Sequence, residues 1–297
     1  MVLRKKNNRN LWVGLLFISP WIIGFVIFIL YPILLSLYYS LCDYDLLSAP
    51  YYIGFANYAD LFWDEQFAVS LYNTFYYTAM YLPLSTILSL SLAMLLNSEV
   101  RGLAVFRTLF YLPTIVPVVA TSVVWMWLFN PRIGIFNNML SKAGIIGPNW
   151  LGDPKWSKPA LVLLGLWAVG QPMVIYLAAL QGVPRQLYEA ALIDGISSWG
   201  SFWHITLPFI SPSVLFNVVM SLISSFQYFT EAYVISQGDG GPANSTLFYA
   251  LNLYRNAFRY LKMGYASSMA WILFVVILVS TMLLFKTSGR YVYYGGE

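Results

Sequence analysis

The amino-acid sequence predicts an all-α, polytopic membrane protein with six transmembrane helices, and three observations lead to this fold class. First, the chain of 297 residues is 59% hydrophobic and only 9% charged, whereas a soluble domain is about 25% charged. Second, the 28 charged residues, 16 basic and 12 acidic, all lie outside six long charge-free runs. Third, each run exceeds the roughly 20 apolar residues that a spanning helix needs. This composition excludes both an ordinary soluble globule and disorder, which needs low hydrophobicity.

Each charge-free run is interpreted as one transmembrane helix, because none shows the short alternating pattern of membrane barrel strands. The fifth run is too long to lie wholly in the bilayer, so its first part, Gly195–His204, is predicted to be interfacial, with the helix beginning near Leu207. A further run, 240–254, contains Gly-Gly-Pro and is too short to span. In chain order the six runs are 10–42, 66–98, 108–131, 159–184, 195–230 and 263–285.

The distribution of Lys and Arg predicts the orientation of the chain. The N-terminal tail, residues 1–10, carries four cations, whereas the next loop, 43–65, carries five acids and no cation. The positive-inside rule then places the N-terminus in the cytoplasm. Six spans return the C-terminal tail, residues 287–297, to the same side. We therefore predict a single membrane domain over residues 11–286 between two cytoplasmic tails.

Several function classes find no support in the residues. The single cysteine, Cys42, and single histidine, His204, exclude an intrachain disulfide and a Cys- or His-based metal cluster. The cations are dispersed, so nucleic-acid binding is not indicated. The Lys286-Thr287 pair follows Phe285 rather than glycine, so the chain has no phosphate-binding P-loop. Eight prolines lie in or beside the spans; kinked helices suit a transporter, but proline is also simply frequent in membrane helices.

The loop between the fourth and fifth runs, residues 185–208, predicts a short helix at the membrane surface. Glu189–Leu192 are strong helix formers, and Gly195 is a natural helix end. Glu189 and Asp194 are costly to bury in lipid, so the segment projects from the bundle. A rigid projection with carboxylates is suited to docking a soluble partner.

This loop resembles the signature loop of bacterial ABC importer permeases, a family with a type I, MetI-like fold. The pattern is Glu-Ala-Ala, three residues, Gly, nine residues, Ile, one residue, Leu-Pro. The resemblance implies that the loop sits in a cleft of a separate ATPase and transmits its closure, with Glu189 as the ionic contact, and we add Asp194 to the predicted contact. Every fixed position matches: Glu189, Ala190, Ala191, Gly195, Ile205, Leu207 and Pro208.

Four further segments are similar to the carbohydrate-uptake branch of this family, and specifically to its maltose-type first permease. The similarity extends from about Leu11 to Lys286. It implies a non-enzymatic subunit of the bacterial cytoplasmic (inner) membrane that carries no cofactor itself. The implied partners are a second homologous permease, two copies of an ATPase that binds ATP and Mg²⁺, and an extracytoplasmic sugar-binding protein, working by alternating access. The segments are Phe106–Pro113, Gly238–Thr246, Leu253–Phe258 and Met263–Ala266.

Polar and aromatic side chains in the spans predict where a solute could pass. The spacing of Asn217, Ser221, Ser224, Tyr228 and Glu231 predicts one polar face of the fifth helix. Aromatic rings beside hydrogen-bonding groups suit a sugar. Serine and asparagine also bridge membrane helices, and Ser221 and Ser224 favour that reading. The candidate path residues are Trp125 in the third span, Trp167 and Gln171 in the fourth, and Asn217, Tyr228 and Glu231 in the fifth.

Two alternatives remain open from the sequence. A permease of the same fold could carry another solute, such as glycerol phosphate or a peptide, although no Lys or Arg lies in any span to receive an anion. An ATP-independent channel or carrier is a different class, and it would need no ATPase-docking loop.

Overall fold

The computed structural model describes residues 8–98, 102–289 and 292. The chain divides into two compact units, one of residues 1–61 and 256–271, the other of residues 62–255 and 272–297. Three of the four N-terminal cations and the C-terminal Arg290 lie outside the described residues, so the orientation and the tails stay predictions.

Fifteen α-helices and one pair of short strands make up the regular structure of the described residues. The strands, β1 (Cys42–Asp43) and β2 (Tyr51–Tyr52), pair antiparallel. The helices are α1 (Asn8–Phe25), α2 (Tyr31–Ser40), α3 (Ala56–Trp63), α4 (Glu65–Leu96), α5 (Leu103–Tyr111), α6 (Val118–Leu128), α7 (Ile135–Lys142), α8 (Pro154–Leu166), α9 (Gly170–Gln181), α10 (Arg185–Ile193), α11 (Ser198–Ser201), α12 (Leu207–Phe226), α13 (Thr230–Ser236), α14 (Tyr249–Tyr254) and α15 (Met263–Ser288).

The predicted helical fold with six spans is confirmed, with two of the spans bent. Four helical stretches are long and apolar enough to cross a membrane: Trp12–Ser40, Glu65–Leu96, Ser198–Ser236 and Met263–Ser288. Two bent helix pairs, α5 with α6 and α8 with α9, bring the number to six if each pair is one span. The β1–β2 pair was not predicted, because its strands are too short to show an alternating pattern of apolar and polar residues.

The third span is not the unbroken helix that its charge-free run predicts. A 3₁₀ turn, Leu112–Ile115, separates α5 from α6, and the two helices are bent by 99°. Proline lacks the backbone N–H and disfavours helical geometry at the residue before it. Val116, which precedes Pro117, is extended with ψ of 130°. Pro117 therefore accounts for the break before α6, whereas Leu112, which precedes Pro113, stays helical.

The fourth span is bent by 47° between α8 and α9. Pro172 lies at the third position of α9, where its missing N–H costs no helical hydrogen bond. Gly170 is the first residue of α9 and lies close to the end of α5. A Cβ at this position would lie 2.5 Å from the Phe110 carbonyl oxygen. The absence of a side chain thus lets two helix ends meet.

The fifth span begins before the predicted helix start near Leu207, and its helix is interrupted after Phe226. Helix α11 continues through a π-helical turn, Phe202–Thr206, into α12, so helical backbone already starts at Ser198. Helix α12 ends at Phe226, and α13 begins only at Thr230. The predicted polar face over residues 217–231 is therefore interrupted.

The first unit is held by buried side-chain hydrogen bonds to the backbone. The Asn57 amide donates to the carbonyl oxygens of Ser40 and Cys42 at 3.0 and 2.9 Å. Gly264 donates its N–H to the Tyr44 carbonyl, and a side chain on this glycine would collide with the carbonyl oxygen of Cys42. These contacts join the end of α2, the strands and the start of α15 within this unit.

Candidate functional site

The loop between the fourth and fifth spans is a short helix closed by a glycine. In α10, Gly195 donates its N–H to the Leu192 carbonyl, and Ile196 donates to the Ala191 carbonyl at 2.9 Å. This pair of bonds is the Schellman motif, which requires a left-handed residue. Gly195 has a φ of +72° and open space around its Cα. The predicted helix and its glycine end are thus present in the structure.

The inner face of this loop is anchored to the bundle. The hydroxyl groups of Tyr188 and Thr206 are hydrogen-bonded at 2.9 Å, which ties α10 to the turn before α12. Ala191 is buried, and Ile205 packs against an apolar cluster that includes Tyr176 of α9. Leu207 and Pro208 are half-buried at the first two positions of α12. Four of the predicted coupling residues therefore form the support of the loop.

The outer face of the loop combines carboxylates with large exposed apolar side chains. Glu189, Ala190, Asp194 and Gly195 are all exposed. Beside them Leu192, Ile193 and Trp199 are 74%, 86% and 70% exposed. None of these three side chains was predicted from the sequence, although a Leu-Ile pair between two acids in a polar loop indicates an exposed apolar patch at Leu192 and Ile193. Exposed apolar groups around a carboxylate are typical of a docking surface.

A cavity of about 270 Å³ lies among the spans of the second unit. Its volume is close to the lower end of the range for small-molecule pockets. Helices α4, α8, α12 and α13 and the break between α5 and α6 contribute its walls. Polar lining comes from Tyr77, Tyr81, Thr114, Thr121, Ser224, Ser225, Gln227, Tyr228, Thr230 and Glu231, and apolar lining from Pro113, Val116, Val118 and Leu164 among others.

One wall of the cavity is a stack of tyrosine rings. Tyr77 lies between Tyr228 and Tyr81, with ring centroids 4.2 and 5.3 Å apart. Phe248 packs edge-on against both Tyr77 and Tyr228. Gly165 makes room for this stack, because a Cβ there would lie 2.6 Å from the Tyr77 hydroxyl oxygen.

The segment that carries Phe248 is held by polar side chains of α4. The Asn73 amide donates to the carbonyl oxygens of Asn244 and Leu247 at 2.8 and 3.0 Å. At the next position of α4, the Thr74 hydroxyl accepts the N–H of Tyr249 at 2.9 Å. Asparagine and threonine one residue apart on a buried helix face thus hold the outer segment and fix the ring behind the tyrosine stack.

The structure brings together only part of the predicted path. Tyr228 and Glu231 line the cavity, as does Ser224, whereas Asn217 is buried outside it beside Tyr176. The prediction that all five polar residues share one helical face is wrong, because α12 ends at Phe226 before Tyr228 and Glu231. A non-helical break at residues 227–229 separates these two side chains from the regular spacing of α12, and both line the cavity.

The predicted aromatic and amide residues of the third and fourth spans lie elsewhere. Trp125 is buried in a cluster with Phe129 and Phe136, and its ring meets Trp167 edge-on at 5.9 Å. Trp167 is half-exposed and Gln171 is exposed. None of the three belongs to the cavity lining.

Three residues that line the cavity together with Glu231 were not predicted from the sequence: Tyr77, Tyr81 and Gln227. Tyr77 and Tyr81 are four residues apart on α4, and this spacing was the available signal, since it places two hydroxyl-bearing rings on one face of a long span. Gln227 gave no signal, because its place depends on the end of α12.

Comparisons with known proteins agree with these features. A family model described as binding-protein-dependent transport system inner membrane component matches residues 70–290. The probable ABC transporter permease protein YesP of Bacillus subtilis is 43% identical, over 98% of this chain and 94% of the relative. The lactose transport system permease protein LacF of Rhizobium radiobacter is 37% identical, over 92% of each chain. The trehalose/maltose transport system permease protein MalF of Thermococcus litoralis is 31% identical over 97% of each chain.

Solved structures give the same picture of the fold. One chain in the crystal structure of a bacterial alginate ABC transporter, in complex with an alginate pentasaccharide-bound periplasmic protein, superposes with a TM-score of 0.83. Its sequence is 26% identical, and the match covers 96% of both chains. The agreement therefore extends over nearly all of the described residues.

Proposed function

The chain belongs to the family of binding-protein-dependent transport system inner membrane components, and from this premise we propose that it forms the solute path of an ATP-driven sugar importer. The single observation that carries the proposal is the cavity of tyrosine rings, hydroxyls, an amide and a carboxylate among the spans. Aromatic rings cover the C–H faces of a sugar, and the polar groups meet its hydroxyls. Relatives named for lactose and for trehalose and maltose support a sugar as solute.

The loop of α10 and α11 is proposed to dock a separate ATPase subunit. Its support is internal, through the Tyr188–Thr206 hydrogen bond and buried Ala191. Its exposed face presents Glu189 among large apolar side chains, which suits a cleft with a complementary cation and apolar walls. A rigid loop that is packed on the bundle transmits movement of its partner to α9 and α12.

ATP and Mg²⁺ are assigned to that ATPase and not to this chain, because the sequence has no P-loop to cradle the phosphates. The remaining partners follow from the family: a second homologous permease, two ATPase copies, and an extracytoplasmic sugar-binding protein. The structure of the alginate transporter with its periplasmic protein supports the last of these. Transport is proposed to proceed by alternating access in the bacterial inner membrane.

Reconstitution in liposomes tests the function. The complete complex should take up labelled sugar only when ATP is on the cytoplasmic side of the membrane and the loaded binding protein is on the opposite side. A matched complex with Tyr77→Ala, which removes the centre of the tyrosine stack, should assemble and hydrolyse ATP but lose most uptake. Uptake without ATP or without the binding protein would contradict the importer and favour a channel or carrier.

A further inference from the structure

The cavity contains one charged side chain, Glu231, and its other polar lining is neutral. The neutral groups are tyrosine, threonine and serine hydroxyls and the amide of Gln227. Among the described residues, no lysine, arginine or histidine lines the cavity. The charge of the cavity is thus set by a single carboxyl group.

The position of Glu231 keeps this carboxyl group at the polar wall. It lies in the first turn of α13, three residues after Tyr228 and just beyond the non-helical break at residues 227–229 that follows α12. Its side chain is half-buried and lines the same cavity as Tyr77, Tyr81 and Tyr228. A solute that contacts the tyrosine stack therefore also meets Glu231.

We propose that Glu231 makes the cavity selective for uncharged sugars and excludes sugars that carry a carboxylate or phosphate group. This inference rests on the proposed function of the cavity as the solute site. A carboxylate accepts hydrogen bonds from sugar hydroxyls, and such charge-assisted bonds are stronger than neutral ones. An anionic sugar instead places a second negative charge in a partly desolvated space with no cation to offset it. Repulsion between two negative charges in contact in such a space weakens binding by about 10- to 100-fold.

The charge of the cavity can be measured without knowing the sugar. Ser224 is exposed into the cavity, and the only native thiol, Cys42, is buried. In a Ser224→Cys complex, a cationic methanethiosulfonate reagent should react about tenfold faster than an anionic one. Each rate is first divided by the rate of the same reagent with Ser141→Cys, an exposed position near the end of α7. Adding Glu231→Gln should abolish this preference, whereas adding Glu65→Gln, the same change at an exposed site outside the cavity, should leave it. A preference that Glu231→Gln does not reduce would overturn the proposal.

Selectivity is measured on the purified complex without its binding protein, by NMR saturation transfer with two matched pairs, glucose with glucuronate and galactose with galacturonate. Wild-type protein should transfer saturation to the neutral member of a pair only. Glu231→Gln should admit the uronate as well, and Glu231→Asp should retain the discrimination. Loss of the neutral sugar in Glu231→Gln with no gain of the uronate would overturn the proposal, since Glu231 would then act only as a hydrogen-bond acceptor. A wild-type complex that binds neither neutral sugar would instead contradict the proposed function, while the thiol rates still test the charge.

Discussion

Gly165 shows how one absent side chain shapes the cavity. A Cβ at this position would lie 2.6 Å from the Tyr77 hydroxyl oxygen and 3.0 Å from the Tyr81 ring. Both rings belong to the stack with Tyr228, so neither can move without disturbing the wall that we propose to meet the solute. The role of this glycine is to permit close approach, and its backbone needs no unusual φ.

We expect Gly165→Ala to weaken sugar uptake by about tenfold, because overpacking costs about 1–3 kcal/mol at such a contact. ATP-driven uptake in proteoliposomes measures the effect. Gly24→Ala is the matched control, since Gly24 has no neighbouring atom within 4 Å of a new Cβ, and it should transport normally. Equal uptake by both variants would show that the stack does not touch the solute.

Glu189 is the only carboxylate within α10, and it lies in the middle of the exposed face of this helix. We expect Glu189→Ala to reduce uptake by tenfold or more, since removal of one partner from a buried interfacial charge pair costs about 2–5 kcal/mol. The complex should still fold, because the Glu189 side chain is exposed. Glu65→Ala, an exposed acid at the start of α4, is the control. Wild-type uptake by Glu189→Ala would contradict the docking role.

At the scale of elements, the end of α10 depends on the left-handed conformation of one residue. Gly195 has φ of +72°, and a side chain there costs about 1–2 kcal/mol even in open space. The loop that follows, from Ile196 to the start of α11, takes its direction from this turn. Strain at Gly195 therefore changes how the exposed apolar side chains are presented.

We expect Gly195→Ala to lower both thermal stability and coupled uptake. Gly144→Ala is a matched control, because Gly144 has φ of +75° and equally open surroundings but lies after α7, away from the loop. Both variants should lower the unfolding midpoint by about 2–4 °C, but only Gly195→Ala should lower ATP-driven uptake. If both variants lose uptake equally, the effect is general strain and the loop has no special role.

The bends in the third and fourth spans are the elements that create the cavity. A straight helix over residues 108–131 would not present Pro113, Thr114 and Val116 on the same wall as Val118. Proline positions 113 and 117 were visible in the sequence, and they predict a kink. The 99° angle was not predictable, because proline removes a hydrogen bond without dictating how the following turn repacks.

At the scale of the whole molecule, the orientation in the membrane remains a prediction from charge. The four N-terminal cations and the acidic loop 43–65 place the N-terminus and the loop 185–208 on the cytoplasmic side. We expect a cysteine introduced as Ser198→Cys to react with a membrane-impermeant maleimide only in inside-out vesicles. A cysteine introduced as Ser48→Cys, in the acidic loop, should react only in right-side-out vesicles. Labelling with the reverse pattern would contradict the predicted orientation.

Asp45 in the acidic loop adds a local pH dependence. The Ser48 hydroxyl and the N–H groups of Ser48 and Leu47 donate to its carboxylate. These hydrogen bonds, that from the Ser48 hydroxyl first, hold the pKa of Asp45 below its usual value. The stabilisation that the ionised carboxylate gives this turn is therefore present at neutral pH and is lost as the pH falls through that lowered pKa.

Residue order alone predicts the membrane class, the six apolar segments and the loop of residues 185–208 that we propose to dock an ATPase. Charged side chains are costly in lipid wherever they occur in the chain, so charge-free runs indicate the spans. The spacing from Glu-Ala-Ala to Leu-Pro lies within one loop, so the loop can also be recognised from residue order. Even the Schellman end of α10 follows from one glycine.

Only the tertiary structure decided which polar residues meet. Tyr77, Gly165 and Glu231 come from three separate helices, and their proximity depends on the end of α12, two bends and the close packing at a glycine. Those features arise because neighbouring helices must satisfy backbone groups freed at prolines and fill the space between them. Helical spacing within one segment carries no information about such partners, which is why Trp125, Trp167, Gln171 and Asn217 were grouped with Tyr228 and Glu231 although the fold separates them.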